Sequence, residues 1–230
     1  MKEATTGPLR VTFFGDSVCV GQGVSIYRGW VPRVAQDLDG LSGSIGREVL
    51  VTNASVNGRT TRQALEDMPY QVQSHGVDIL VVQFGLNDCN YWATDKGIPR
   101  VSRPAFMANL AEIMTRGRLA GARRILLNNN HPTLRSTDIM PFTSITYEQS
   151  NRAYNEAIRE VARAETGDVV FTDIERAFLD CVTEGTPMET LLLADGLHLA
   201  PAGHDLYAAL MLPALRKAVS EIANAATAAR

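Results

Sequence analysis

The chain has 230 residues, of which 45% are hydrophobic and 20% are charged, and its net charge is −3. These proportions are typical of a globular protein with a sizeable core. The basic residues are scattered, so we expect no nucleic-acid surface, and apolar runs such as Ile79 to Val82 are too short to span a bilayer.

Residues 1–8 are polar, and the short apolar stretch that follows lacks the length and the cleavage site of a secretory signal. We therefore expect a cytoplasmic protein with no membrane-inserted segment. Cys19, Cys89 and Cys181 show no metal-ligand spacing and are expected to be free thiols. Cys19 and Cys89 follow Ser17 and Asn87 by two residues each, which leaves open whether the two thiols lie close enough to interact.

Short apolar runs rich in β-branched residues alternate with helical patterns along the whole chain. The predicted strands are Leu9–Phe14, Val49–Thr52, Ile79–Phe84, Arg124–Asn128 and Val169–Thr172. Apolar residues at helical spacing predict buried helix faces at Tyr154, Ile158, Val161 and Ala162, and at Tyr207, Met211, Leu215, Ala218 and Ile222. This alternation predicts a single α/β domain over residues 1–230, with three α/β/α layers, a flavodoxin-like topology and a central parallel sheet of about five strands.

Two connections, Cys89–Arg103 and His131–Thr146, are long for such a fold. Both follow predicted strands, so both should overhang the carboxyl-terminal edge of the sheet, where ligands bind in α/β proteins. They carry the candidate substrate-binding residues Tyr91, Trp92, His131 and Phe142.

Two short segments far apart in the chain carry groups suited to nucleophilic catalysis. Gly15-Asp16-Ser17 follows the first predicted strand, and Asp195-Gly196-Leu197-His198 places a carboxylate and an imidazole three residues apart. A serine hydroxyl becomes a good nucleophile when a histidine takes its proton and a carboxylate orients that histidine. Taken alone, Ser17 is equally consistent with a helix N-cap.

In a parallel sheet, the turns after the second and third predicted strands lie beside the turn after the first strand, at the same sheet edge. They contain Gly58 and the sequence Gly85-Leu86-Asn87-Asp88. Individually, Gly58 could be a turn glycine, and Asn87 and Asp88 could be turn residues whose side chains bond local backbone groups.

These blocks together resemble the SGNH hydrolases, also called the GDSL esterases and lipases. Ser17, Gly58, Asn87 and His198 appear in the order of the four family blocks, and the match extends from residue 15 to residue 198. Val18 stands where the family name has leucine, which changes the volume of an apolar neighbour and not the reactive groups.

The resemblance implies a role for each of these residues. Ser17 would attack the carbonyl carbon, His198 would transfer the proton, and Asp195 would orient the His198 ring. The backbone N–H groups of Ser17 and Gly58 and the side-chain amide of Asn87 would form the oxyanion hole.

Other polar residues compete for parts of this site. Asp173 is an alternative carboxylate partner for His198, and Asp16 is expected to tie neighbouring loops together. His75 and His204 are expected to be structural, whereas His131 lies at the correct sheet edge for a substrate contact.

We therefore expect a serine esterase that hydrolyses small or short-chain carboxylic esters, including O-acetyl groups on carbohydrates, through an acyl-serine intermediate. The partner is a small-molecule ester, and the sequence contains no metal-binding or cofactor-binding motif. A thioesterase or lysophospholipase with the same catalytic set, acyl transfer to an acceptor other than water, and a non-catalytic flavodoxin-like binding module remain alternatives. The oligomeric state does not follow from the sequence.

Overall fold

The computed structural model describes residues 7–165 and 167–228. Most of the polar amino-terminal segment that we considered for a secretory signal, residues 1–6, lies outside the described residues.

The centre of the fold is one five-stranded sheet in which all neighbouring strands are parallel. The strands are Leu9–Gly15 (β1), Val49–Asn53 (β2), Ile79–Gln83 (β3), Arg124–Asn128 (β4) and Val169–Thr172 (β5), in the spatial order β2-β1-β3-β4-β5. The predicted strands are confirmed, with bounds that differ by at most one residue.

Helices cover both faces of the sheet. They are Ser17–Val20 (α1), Trp30–Asp39 (α2), Ser42–Ile45 (α3), Thr61–Gln71 (α4), Arg103–Leu119 (α5), Tyr147–Ala164 (α6), Ile174–Thr183 (α7), Met188–Leu191 (α8) and Pro201–Ala228 (α9), with short 3₁₀ turns at Ile26–Arg28, Gln73–His75 and Ala93–Asp95. Helices α2 and α9 pack together on one side, and α4, α5 and α6 pack in sequence on the other. The three-layer α/β/α, flavodoxin-like fold is therefore confirmed.

Local signals in the sequence explain where the helices begin and which face they bury. Thr60 and Thr146 start α4 and α6 with complete capping boxes, in which the threonine hydroxyl and a glutamine three residues later satisfy backbone N–H groups. The predicted apolar stripes of α6 and α9 face the core of the protein.

Aromatic side chains fill the space between the sheet and its two helical layers. Phe13 meets Trp30 edge to face, and Trp30 stacks on Tyr207, on the α2–α9 side. The next residue, Phe14, contacts Phe84 instead, because successive side chains of a strand point to opposite faces. With both faces covered, the edge formed by the carboxyl ends of the strands stays open for a site.

The three cysteines are free thiols. Cys19 and Cys89 are both buried, and their sulfur atoms bond different partners, Gln83 Oε1 at 3.6 Å and the Leu86 carbonyl at 3.4 Å. Burial raises the pKa of both thiols. Among the helices of the described segments, none has the length and apolar character needed to cross a membrane.

Candidate active site

Ser17 lies at the junction between β1 and α1, where the chain turns sharply away from the sheet. A side chain at Gly15 would place its Cβ 2.8 Å from the Gln83 carbonyl oxygen, so only glycine fits this junction. Asp16 caps α1, because its Oδ1 accepts the Val18 N–H at 3.0 Å. Ser17 is therefore the first residue of the helix and not its cap, which leaves its hydroxyl available for other contacts.

Asp195 and His198 lie on a short loop that is closed at its base. Leu192 and Leu199 pair as an antiparallel bridge, and Gly196 adopts a left-handed conformation with φ of +67°. Within the loop, Asp195 Oδ1 accepts the backbone N–H of His198 at 3.0 Å. These contacts fix the carboxylate relative to the ring that follows it.

Hydrogen bonds connect the three predicted catalytic side chains in one line. His198 Nδ1 lies 2.6 Å from Asp195 Oδ2, and His198 Nε2 lies 3.0 Å from Ser17 Oγ. A carboxylate beside Nδ1 favours the tautomer with hydrogen on that nitrogen, which leaves Nε2 free to accept the Ser17 proton. This arrangement can activate the hydroxyl as a nucleophile.

The Asp195 carboxylate stays ionised over a wide pH range. Burial would raise its pKa, but the hydrogen bonds from the His198 ring and from the backbone N–H groups of Leu197 and His198 lower it to about 2. The carboxylate can therefore stabilise a positive charge on the imidazole.

The predicted oxyanion donors Gly58 and Asn87 lie in the turns that follow β2 and β3, the two strands that flank β1. Gly58 follows β2 with φ of +76°, and its N–H makes no hydrogen bond to any described residue. Asn87 follows β3, and its Nδ2 donates one hydrogen to Asp16 Oδ2 at 3.3 Å. The second hydrogen of that amide remains available for a substrate oxygen.

Two buried carboxyl groups lie beside the Asn87 donor: Asp16, which accepts a hydrogen bond from its amide, and Asp88, the next residue in the chain. Burial raises the pKa of Asp16 to about 7 and that of Asp88 to about 6. Asp88 Oδ1 accepts both the N–H and the hydroxyl of Thr61, at 2.9 and 2.6 Å, and so attaches the start of α4 to the turn after β3. Asp88 therefore bonds a residue that is distant in the chain, whereas Asp16 ties neighbouring loops together as expected.

The structure corrects the predicted substrate contact by His131. Its ring is fully buried, and Nε2 donates to the Leu197 carbonyl oxygen at 2.7 Å, directly before His198 in the chain. Burial lowers the pKa of His131 to about 4, so the ring is neutral near pH 7. The loop that carries His198 covers His131, which therefore supports that loop from inside and cannot reach a substrate.

The alternative partners of the catalytic histidine are occupied elsewhere. Asp173 caps α7 and bonds Asn129 and Arg159. His204 is buried and accepts the Trp30 N–H through Nδ1, which is consistent with the structural role expected for it.

The remaining candidate substrate-binding residues lie on two loops that touch one another. A Cβ at Gly97, in the loop after β3, would lie 3.0 Å from the Phe142 carbonyl oxygen, in the loop after β4. Trp92 and Phe142 are 52% and 71% exposed, so their rings are accessible, whereas Tyr91 is half-buried. Within residues 7–165 and 167–228, no group of His, Cys, Asp or Glu side chains is placed to hold a metal ion.

Arg100 is a site residue that the sequence did not reveal. Its Nη1 donates to the Gly58 carbonyl oxygen at 3.2 Å and lies 3.4 Å from Asn87 Oδ1. It stands on an irregular loop with no helical or strand periodicity, so its position depended on the path of that loop.

The chain is similar in sequence to known proteins. A family model described as the GDSL-like Lipase/Acylhydrolase family matches residues 13–206. The Esterase TesA of Pseudomonas aeruginosa is 26% identical over 118 residues, which cover 51% of this chain and 53% of that protein. The match thus spans about half the length of that relative.

Solved structures share the fold over most of the chain. A lipase/acylhydrolase from Enterococcus faecalis superposes with a TM-score of 0.69 at 24% identity, covering 91% of this chain and 96% of that one. Axe2, an acetylxylan esterase from Geobacillus stearothermophilus, superposes with a TM-score of 0.67 at 18% identity, covering 90% of this chain and 94% of that one.

Proposed function

Because the chain belongs to the GDSL-like lipase/acylhydrolase family, a family of hydrolases, we propose that it is a serine esterase acting on short-chain carboxylic esters. The observation that carries the proposal is the line of hydrogen bonds from Asp195 through His198 to Ser17, at 2.6 and 3.0 Å. Such a line supplies a nucleophile, a base and an orienting carboxylate in one place.

In the first half of the reaction, the Ser17 hydroxyl oxygen attacks the ester carbonyl carbon while His198 Nε2 takes the hydroxyl proton. The intermediate then collapses, and His198 returns that proton to the departing alcohol, which leaves an acyl-serine. Water repeats the sequence, and the free acid leaves with Ser17 restored. In each half, Asp195 stabilises the positively charged His198 ring.

The negative oxygen of the intermediate requires donors that are in place before the reaction. We assign the N–H groups of Ser17 and Gly58 and the Asn87 side-chain amide to this role. The free Gly58 N–H and the second hydrogen of Asn87 Nδ2 support the assignment. Such donors are effective because they need no reorganisation when the charge appears.

The loops beside the site support a proposal about the substrate class. The exposed rings of Trp92 and Phe142 stand on loops beside the site, which favours a substrate whose alcohol part is bulky and extends over the surface. An O-acetylated carbohydrate has this form. The same catalytic groups would also serve a thioesterase or a lysophospholipase.

Hydrolysis of a series of 4-nitrophenyl esters from acetate to laurate tests the acyl preference. We expect kcat/KM to be highest for the shortest acyl groups. A rise with chain length would contradict the short-chain proposal and favour the lysophospholipase, and faster cleavage of matched thioesters would favour the thioesterase.

Labelling with a fluorophosphonate probe tests whether the site is catalytic at all. We expect stoichiometric labelling of the native protein and none of Ser17→Ala. Ser55→Ala is the matched control, since Ser55 stands in the turn after β2 at the same sheet edge and should leave labelling intact. An unlabelled native protein would favour a non-catalytic binding module.

The cytoplasmic location, the single domain over residues 1–230 and the absence of a cofactor stay predictions.

A further inference from the structure

A groove of about 620 Å³ lies beside the proposed oxyanion hole. One wall is the start of α4, and the other is the loop after β3. Its charged and aromatic lining residues are Arg62, Trp92, Asp95 and Arg100. This volume is much larger than a short acyl group needs, so the groove has room for another part of a substrate.

Arg100 brings a positive charge into this groove without a carboxylate beside it. Its hydrogen bonds go to neutral oxygens, those of Gly58 and Asn87, and its guanidinium stacks 4.4 Å from the centre of the Trp92 ring. Burial lowers the pKa of Arg100. The carboxylates of Asp88 and Asp95 lie beyond ion-pair distance, so they offset only part of this lowering. A partly buried cation in this setting is stabilised by an anion.

Arg62 adds a second cation on the opposite wall. It is exposed, and its side chain makes no hydrogen bond or ion pair with any residue in the described segments. Asp95 is the acidic residue of the groove, so the lining carries an excess of positive charge.

We propose that this groove is a recognition subsite for a carboxylate or phosphate group carried by the ester substrate, bound between Arg62 and Arg100. The guanidinium groups present flat, paired donors that match the oxygens of such an anion. The inference rests on the proposed esterase function, which it refines by adding a charge to the substrate.

The location of Arg100 connects this subsite to the reaction centre. One guanidinium contacts two of the three residues to which we assign oxyanion donors, Gly58 and Asn87. An anion bound by Arg100 is therefore one side chain away from the scissile carbonyl. The charged group can belong to the acyl part or to the alcohol part of the ester.

Matched ester pairs test the charge and distinguish the two sources. Monoethyl glutarate and ethyl pentanoate differ by a carboxylate on the acyl side, and 4-acetoxybutanoate and butyl acetate differ by a carboxylate on the alcohol side. In at least one pair, we expect the native protein to favour the charged ester by about tenfold in kcat/KM, which corresponds to about 1.4 kcal/mol. Acid release in a pH-stat measures all four rates.

The Arg62→Gln variant should reduce this charge preference severalfold, and added salt should reduce it as well. Arg10→Gln is the matched control, since it removes the same charge at the start of β1, at the other end of the sheet, and should leave the preference unchanged. Equal rates within both pairs, or an equal loss of preference in both variants, would overturn the proposal.

Binding to Ser17→Ala separates the subsite from the catalytic claim. Titration of this variant with each ester, followed by tryptophan fluorescence, to which Trp92 in the groove contributes, should show tighter binding of the charged ester. Arg62→Gln in the same background should abolish the difference. Charge-dependent binding without turnover by the native protein would refute the esterase and retain the subsite. Turnover of neutral esters without charge-dependent binding would refute the subsite alone.

Discussion

Replacing Asp16 with asparagine should change how the stability of the protein depends on pH. The Asp16 carboxyl is fully buried at the end of β1, where it accepts the Val18 N–H at 3.0 Å and an Asn87 amide hydrogen at 3.3 Å. Burial raises its pKa to about 7, and the nearby Asp88 carboxyl adds to that rise. Asparagine keeps an oxygen for the Val18 N–H and removes the ionisation.

The sign of the effect follows from which state holds the proton. In the unfolded chain, the carboxyl ionises near its ordinary pKa of 3.8, whereas the folded protein keeps it protonated up to about pH 7. The resulting stability is fully present below pH ~4 and is lost as the pH rises through ~7. Since one pKa unit corresponds to about 1.4 kcal/mol, the loss is on the order of 4 kcal/mol in total, with roughly 3 kcal/mol of it between pH 5 and 8.

Urea unfolding of the native protein and of Asp16→Asn at pH 5 and pH 8 measures this loss. We expect the variant to gain roughly 3 kcal/mol relative to the native protein between the two pH values. The variant is compared with the native protein at each pH because two histidines also make stability depend on pH. Burial lowers the pKa of His131 and His204 to about 4, so their contribution to stability rises with pH. Both proteins contain these histidines, and the contribution cancels when their free energies of unfolding are subtracted.

Asp39→Asn is the matched control, because it makes the same carboxyl-to-amide substitution at an exposed position at the end of α2. Its difference from the native protein should be the same at both pH values. If Asp16→Asn also showed no change between pH 5 and 8, Asp16 would be ionised in the folded protein and the reasoning from burial would be wrong.

Substitutions at three further residues test the site itself. Asn87→Ala should lower kcat about 10²–10³-fold with little change in KM, because the lost amide acts mainly in the transition state; a higher KM with unchanged kcat would contradict this. Asp195→Asn should lower kcat by about 10⁴ and leave the fold intact by circular dichroism, since the ring loses the partner that sets its tautomer. His131→Phe leaves the Leu197 carbonyl without its donor, so we expect a loss of about 1–3 kcal/mol in urea unfolding and a lower kcat. His131→Gln, which restores a donor, should recover part of both.

Much of the fold was predictable because its elements depend on local patterns. Strand β3 is buried on both faces and reads as a continuous apolar run, whereas α6 and α9 show stripes at helical spacing. The capping boxes at Thr60 and Thr146 are visible as residue pairs three apart. Such signals act within a few residues, so they do not require knowledge of the tertiary structure.

The environments of individual side chains were not predictable in the same way. His131 follows a strand at the correct edge, yet its ring is buried beneath the loop that carries His198. Arg100 lies on an irregular loop, and its contacts with Gly58 and Asn87 depend on how that loop folds back across the sheet edge. Both cases depend on packing between segments that are distant in the chain.

The chemical groups that the protein can use are evident from the amino-acid sequence, because each short block places its reactive residue in a turn after a strand or in a single loop. Asp195 and His198 are three residues apart, so one loop suffices to join them. The contact between His198 and Ser17, 181 positions apart in the chain and 3.0 Å apart in space, required the folded protein. That distance depends on how α9 and the sheet pack together, and neither segment specifies this packing alone.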